Sequence, residues 1–303
     1  MSFTVTILGS GAAVPTLSRG TTSQFVNCQQ RSILIDCGEG TQIQMRKFKV
    51  KFQGLQVILI SHLHGDHIFG LAGLISTMQL LGRKEAITIV GPIGIKEFLL
   101  NQFKISGYYN GFPIEFHELA PNTEAMVYED KCIEIKTFPL SHRIPTQGYR
   151  INEKPGKRGL DKEAFDETGI STSYIQKLIS GEDVIDNEGT IVKSEDVTFP
   201  PKPTKSYAFC SDTAYHPPII NAIKGVNLLY HEATFLDKES ERASETFHST
   251  AKQAATIALK SEAKRLILGH FSARYKTMEL HKEEAEAIFE KVFIPEDGEV
   301  FNV

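Results

Sequence analysis

Leu55-Gln56-Val57-Ile58-Leu59-Ile60-Ser61-His62-Leu63-His64-Gly65-Asp66-His67 is the stretch that decides how this chain is read. Its first six residues form a short apolar run, the pattern of a strand buried on both faces. Directly past the end of that run come three histidines and one aspartate. Histidine and carboxylate are ligands that zinc accepts, and four of them on one tight loop have the spacing of a metal site. His62 and His64 are two apart, so an extended segment points both to the same side. Asp66 and His67, past Gly65, can turn toward a second ion.

Three other apolar segments end in the same way. Residues 132–140 run into Ser141-His142, residues 207–210 into Ser211-Asp212, and residues 265–268 into Gly269-His270. Strand ends along one edge of a sheet layer are where α/β proteins gather their chemistry. Further strands are expected at 3–8, 22–28 and 32–36, and a helix after Gly38-Glu39-Gly40. Amphipathic helical stretches fall at 69–81, 93–102, 217–223, 249–261 and 279–292. Strands alternating with helices in two similar halves predict an α/β fold of two packed sheets with helices on their outer faces. From about 153 to 203 the chain is polar and without strong core periodicity, so it reads as an inserted arm with one short helix near 173–179.

Composition narrows the class. With 303 residues, 41% hydrophobic and 23% charged, the chain can bury a large core. A net charge of −4 gives no global pull on nucleic acid, so a polyanionic substrate would need local basic patches. Cys28, Cys37, Cys132 and Cys210 form no C-x-x-C pair, which argues against a disulfide framework or a cysteine zinc cage. The N-terminus lacks the basic lead and apolar run of a signal peptide. The longest mostly apolar stretch, 68–81, is too short to span a bilayer. A cytoplasmic protein with free thiols, and without membrane attachment, is the expectation.

The ligand set divides naturally: His62, His64 and His142 on one zinc, Asp66, His67 and His270 on the other, with Asp212 bridging. That arrangement predicts two Zn2+ per chain, each with room for water, as a catalytic site needs. Asp36, at the end of the 32–36 strand, either buttresses a ligand imidazole through its free ring N–H or caps the following helix.

At these residues the chain resembles the metallo-β-lactamase superfamily, and within it the ribonuclease Z (tRNA 3′-processing endonuclease) family. The superfamily signature is His62-x-His64-x-Asp66-His67 with His142, Asp212 and His270, which glyoxalase-type hydrolases share. The narrower likeness rests on Asp36-Cys37-Gly38-Glu39-Gly40-Thr41-Gln42, on Ser141-His142-Arg143-Ile144-Pro145 with Gly148-Tyr149-Arg150-Ile151, on His231-Glu232-Ala233-Thr234, on His248-Ser249-Thr250, and on His270-Phe271-Ser272-Ala273-Arg274-Tyr275. Pro15 to Gly20 keeps the Pro and Arg of the family's P-x-K-x-R-N loop without its Lys and Asn. The arm's Gly-Pro motif is replaced by Gly169-Ile170-Ser171-Thr172-Ser173.

The resemblance implies an αββα sandwich with a flexible tRNA-binding arm, acting as a homodimer on precursor tRNA. Cleavage would follow the discriminator nucleotide, leaving a 3′-hydroxyl on the tRNA and a 5′-phosphate on the trailer. In that chemistry Asp66 accepts the proton of the attacking water, and His248 protonates the leaving O3′. Ser249 and Thr250 fit a helix start that would hold His248, and Glu232 is placed to orient it. Arg274, and more weakly Arg19, are candidates for phosphate contact. His117, His216 and His281 lie outside the motifs and read as packing or surface residues. Residues 143–162 carry six basic residues against two acidic, whereas residues 150–206 carry nine against eleven, so only the base of the arm looks like a phosphate footprint. The competing readings are a glyoxalase-II-like thioester hydrolase and a non-catalytic RNA-binding module.

Overall fold

The computed structural model of the protein describes residues 2–108, 111–186 and 188–303. The chain divides into two compact units, one running to Asn152 and resuming at Lys205–Val303, the other Glu153–Thr204.

In the larger unit the described residues form two seven-stranded sheets. One orders its strands Val300–Asn302, Phe3–Gly9, Ser23–Cys28, Arg31–Ile35, Leu55–Leu59, Ile87–Pro92, Ile114–Leu119. The other runs Val292–Phe293, Leu266–Gly269, Leu228–Glu232, Ser206–Cys210, Thr146–Glu153, Ile133–Leu140, Ala125–Glu129. Each has a parallel half: Arg31–Ile35 through Ile114–Leu119 in the first, Ser206–Cys210 through Val292–Phe293 in the second.

The side-chain period of two sorts these apolar strands into layers. Ile33, Ile35, Val57 and Leu59 share one core with Tyr207, Phe209, Leu228, Tyr230 and Ile267 of the facing sheet. Their neighbours Leu34, Leu55 and Ile58 turn outward onto Met45, Leu74, Met78 and Leu99. These come from the helices Thr41–Lys47, Leu71–Leu80 and Ile95–Ser106. On the other side Ala208, Cys210, Leu229 and Leu268 meet Ala251, Ala254, Ala255 and Ala258 of the helix Ala251–Lys260. The result is the expected αββα sandwich.

Several boundaries differ from the sequence reading. The 217–223 helix is only a 3-10 turn, Pro217–Ile220. The 279–292 helix ends at Glu286, and Val292–Phe293 is an edge strand.

The smaller unit has a core of its own, which its polar composition hid. Phe165, Ile170, Leu178, Val184, Val192 and Val197 are buried together. They sit on the helices Lys162–Glu167 and Ile175–Ile179, on the hairpin of Val184–Ile185 with Ile191–Val192, and on the connecting loops. The 173–179 helix is present as Ile175–Ile179 behind a 3-10 turn, while Lys162–Glu167, capped by Asp161, was not foreseen. Elements this short carry too few turns to show a period. No helix of the described residues is long and apolar enough to cross a membrane.

Candidate metal centre

The parallel strands deliver the candidate ligands. Leu55–Leu59 leads into Ser61-His62, and a single helical turn, Gly65–Ile68, carries Asp66 and His67. Backbone contacts fix this loop: Cys37 N donates to His67 O (2.7 Å) and Gly70 N donates to Cys37 O (2.9 Å). A Cβ on Gly38 would lie 2.1 Å from Asp66 O, so only glycine lets the two segments meet. Asp36, Asp212 and His270, each just past a strand, adopt left-handed φ of 57°, 57° and 55°. Non-glycine residues in that region cost on the order of 1 kcal/mol or more each, and such strain concentrates at functional sites.

All seven residues named from sequence come together. His64 Nδ1 lies 2.9 Å from His62 Nε2 and 3.3 Å from His142 Nε2. Asp212 Oδ2 faces the same pair, 3.6 Å from His62 Nε2 and 3.7 Å from His142 Nε2. The other oxygen, Oδ1, lies 3.2 Å from His67 Nε2 and 3.1 Å from His270 Nε2. Asp66 Oδ2 is 3.4 Å and 3.6 Å from those nitrogens. Ligands about 2.0–2.1 Å from a tetrahedral zinc stand roughly 3.3 Å apart, so both groups fit a cation of that size. The buried Nε2 atoms of His67 and His270 have no hydrogen-bond partner, which is what a metal-facing lone pair looks like in the protein alone.

The remaining ring nitrogens are held from outside the cluster. His67 Nδ1 lies 2.7 Å from Asp36 Oδ2, and Asp36 also accepts from Ser61 N and Ser61 Oγ. Asp36 is therefore a partner of His67 and not a cap, since the helix Thr41–Lys47 starts at Gly40 without a side-chain cap. His142 Nδ1 donates to Phe247 O (2.9 Å). Thr234 Oγ1 lies 2.9 Å from His270 Nδ1 and donates to Glu232 Oε2 at 2.6 Å. Glu232 Oε1 meets His248 Nδ1 at 2.9 Å. His248 precedes the helix Ala251–Lys260, whose cap is Thr250 in a capping box with Gln253.

Electrostatically the centre favours cations. Burial opposes the charge on Asp66, yet the His270 and His67 imidazoles beside it hold its pKa well below the carboxylate range. Burial likewise opposes Asp212, and the charges of His270, His67 and His62 outweigh it. Burial pushes His62 down, with His67 adding to the effect. For His248 burial lowers the pKa, but the charge and hydrogen bond of Glu232 prevail and raise it to about 9. Glu232, resisting burial through His248, lies below its usual value.

An open cavity of about 270 Å³ lies over the cluster, walled by His64, Asp66, His142, Asp212, His248 and His270 together with Arg143, Phe235 and Ser272. Arg143 went unassigned in the sequence, as did Thr234, Ser61 and the Ala13 N–H that donates to Asp66 Oδ2 at 2.9 Å. Strand-end position and motif likeness drew attention to the other candidates, and Thr234 and Ala13 act through contacts distant in sequence. Arg274 stands beside the cavity, donating to Ser272 Oγ and to Glu239 Oε1, with its guanidinium over Phe235. Arg19 is not brought to the cluster: it donates to Ser10 Oγ and Pro295 O and stacks on Phe271. His281 is buried between Phe271 and Tyr275, and His117 and His216 lie away from the cavity.

A family model described as Anti-Pycsar protein Apyc1 matches residues 3–111. A metallo-β-lactamase fold protein from Bacillus subtilis superposes with a TM-score of 0.70 at 18% identity, covering 99% of both chains, which speaks to fold alone. Human tRNase Z, short form, superposes with a TM-score of 0.72 at 28% identity over 98% of each chain. A Ribonuclease Z of Parabacteroides distasonis is 45% identical, covering 98% of this chain and 97% of its own. Identity at that level over nearly the whole of both proteins settles the kinship: this chain belongs to the ribonuclease Z family, on the metallo-β-lactamase fold.

Proposed function

We propose that the protein is a zinc-dependent endoribonuclease that cuts precursor tRNA on the 3′ side of the discriminator nucleotide. The observation that carries this reading is the pair of donor groups bridged by Asp212, with His248, held from behind by Glu232, in the same cavity wall of a ribonuclease Z chain. The donor set fits two zinc ions, one held by His62, His64 and His142, the other by Asp66, His67 and His270, with Asp212 shared. When bound, zinc supplies Lewis-acid chemistry, acidifying water toward neutrality and offsetting charge on the phosphate.

The chain's own residues do the rest. Asp66 spends Oδ2 on the Ala13 N–H and the two imidazoles, so Oδ1 is the oxygen that receives a hydrogen bond from the attacking water. It takes the proton that this water loses on attack and then passes it to solvent. His248, with Nδ1 committed to Glu232, presents Nε2 to the cavity, where it gives a proton to the departing O3′. Glu232 accepts from Thr213 N, Thr234 N, Thr234 Oγ1 and Ser249 N besides His248, and so cannot drift. Arg143, in the cavity wall, and Arg274, beside it, offer bidentate contact to backbone phosphates once substrate displaces their present partners.

The 153–203 arm grips tRNA, and the enzyme works as a cytoplasmic homodimer, as family likeness implies. Incubating zinc-loaded protein with a precursor tRNA and, separately, with S-lactoylglutathione tests the substrate. Trailer release from the tRNA alone is expected; hydrolysis of the thioester alone would assign the site to a thioester hydrolase, and neither product would leave it without the proposed catalysis.

A further inference from the structure

Two carboxylates lie just outside the donor cluster, and each reaches two imidazoles in the same manner. Asp36 Oδ2 meets His67 Nδ1 directly and takes the Ser61 hydroxyl at 2.8 Å, while Ser61 Oγ lies 3.0 Å from His62 Nδ1. Glu232 meets His248 directly and takes the Thr234 hydroxyl at 2.6 Å, while Thr234 Oγ1 lies 2.9 Å from His270 Nδ1. The second relay differs in what it joins: His270 is one of the seven proposed ligands, whereas His248, within reach of Asp212 and His270, is anchored on Glu232 and is not among the seven.

The direction of each proton follows from the chemistry. A threonine hydroxyl has one proton, and here two oxygens are in reach, Glu232 Oε2 at 2.6 Å and His270 O at 3.0 Å. The charge-assisted bond is shorter and about twice as strong, so the proton goes to the carboxylate. A lone pair of Oγ1 then receives the His270 Nδ1–H. With that proton committed, His270 Nε2 keeps its lone pair toward Asp66 and Asp212. Without the hydroxyl, a buried Nδ1–H would lack a partner; turning the ring or moving its proton to Nε2 would relieve this and spoil the ligand.

We infer that Thr234 is a positioning residue for the metal centre: its hydroxyl fixes the tautomer and orientation of His270 and ties that ligand to the carboxylate that orients His248. The inference rests on the proposed reading of the cluster as a two-cation site. Outer partners of metal-bound histidine contribute about 10–100-fold to metal affinity, so the loss should fall in that range and on one cation only.

The test compares full-length parent, T234V, T234S and T234A proteins. Each is stripped of metal, then titrated with Zn2+ against a chromophoric chelator, with Tm recorded before and after loading. The parent should take up two zinc ions. T234V should hold one as tightly as the parent and the other about 10–100-fold more weakly, with a smaller metal-induced rise in Tm. T234S, which keeps the hydroxyl, should recover the parent affinity. Should T234V not fold, T234A against T234S makes the same comparison. Parent-like binding of both ions by the hydroxyl-less variant, or a T234S protein as weak as T234V, would overturn the role of Thr234 while leaving the metal centre standing. A parent protein that takes up no zinc overturns the metal reading itself, and Thr234's role with it.

Discussion

Replacing His248 by alanine separates proton donation from metal binding. The imidazole is anchored by Nδ1 on Glu232 Oε1 at 2.9 Å and lies over His270 with centroids 5.3 Å apart, so Nε2 is the atom left for substrate. Burial would discharge the ring, but the Glu232 carboxylate raises its pKa to about 9, so at pH 7 it holds a proton to give. A ribose O3′ leaving without that proton departs as an alkoxide. Positioned general acids contribute about 10²–10⁴-fold, which at about 1.36 kcal/mol per tenfold is roughly 2.7–5.4 kcal/mol of barrier. Single-turnover cleavage of precursor tRNA under saturating enzyme reads the loss directly. Bis(p-nitrophenyl) phosphate, whose leaving group needs no proton, should lose less than about tenfold. His248 supplies none of the proposed ligand atoms, so zinc content should match the parent. Equal losses on the two substrates, or loss of zinc, would refute the assignment of His248 as proton donor.

Further outcomes follow from the same contacts. A proton donor works while protonated, so kcat should hold below the pKa of His248 and fall as pH rises through it. In Glu232→Gln the carboxylate that raises that pKa is gone, and the alkaline limb should move to lower pH; an unmoved limb would free Glu232 from this role. His64→Ala removes the nitrogen that His62 and His142 both face, and should cost metal and activity together, read by elemental analysis beside the cleavage assay. The smaller unit, Glu153–Thr204, has its own core, and Asn152 pairs with Ser206, so a short Gly/Ser turn can close the gap it leaves. That deletion should spare zinc binding and small-diester hydrolysis, yet weaken tRNA binding and flatten its salt dependence, because phosphate contacts release counterions. Parent-like tRNA processing by the deletion would place tRNA capture elsewhere.

How much of this was legible in the sequence depends on how local each signal is. The strands ending in His62, Asp212 and His270 are mostly apolar runs and the one before His142 alternates, and a ligand just past such a segment shows without knowing the partner strands. Ile114–Leu119 gave no such signal because it is an edge strand with half its residues exposed, and Ile87–Pro92 ends in no ligand. Leu228–Glu232 was read only as a motif, although it carries Glu232 at its end. The roles around the cluster were less visible still. Whether Asp36 would cap a helix or meet His67 turns on a contact across 31 positions, and Thr234 to His270 spans 36. Arginine was the weakest guide. Arg19 holds Pro295 O and stacks on Phe271, while Arg143, read only as part of a motif and a basic segment, stands in the cavity wall. A guanidinium serves a carbonyl as readily as a phosphate, and sequence alone does not say which it meets.

The most direct measurement is to map both ends created when the zinc-loaded protein cuts an end-labelled precursor tRNA. A cut immediately after the discriminator nucleotide, with a 3′-hydroxyl on the tRNA and a 5′-phosphate on the trailer, is the predicted result. It requires water as the nucleophile and O3′ as the leaving group. A 2′,3′-cyclic phosphate on the tRNA and a 5′-hydroxyl on the trailer would mean that the ribose 2′-OH attacked instead, and would contradict the account.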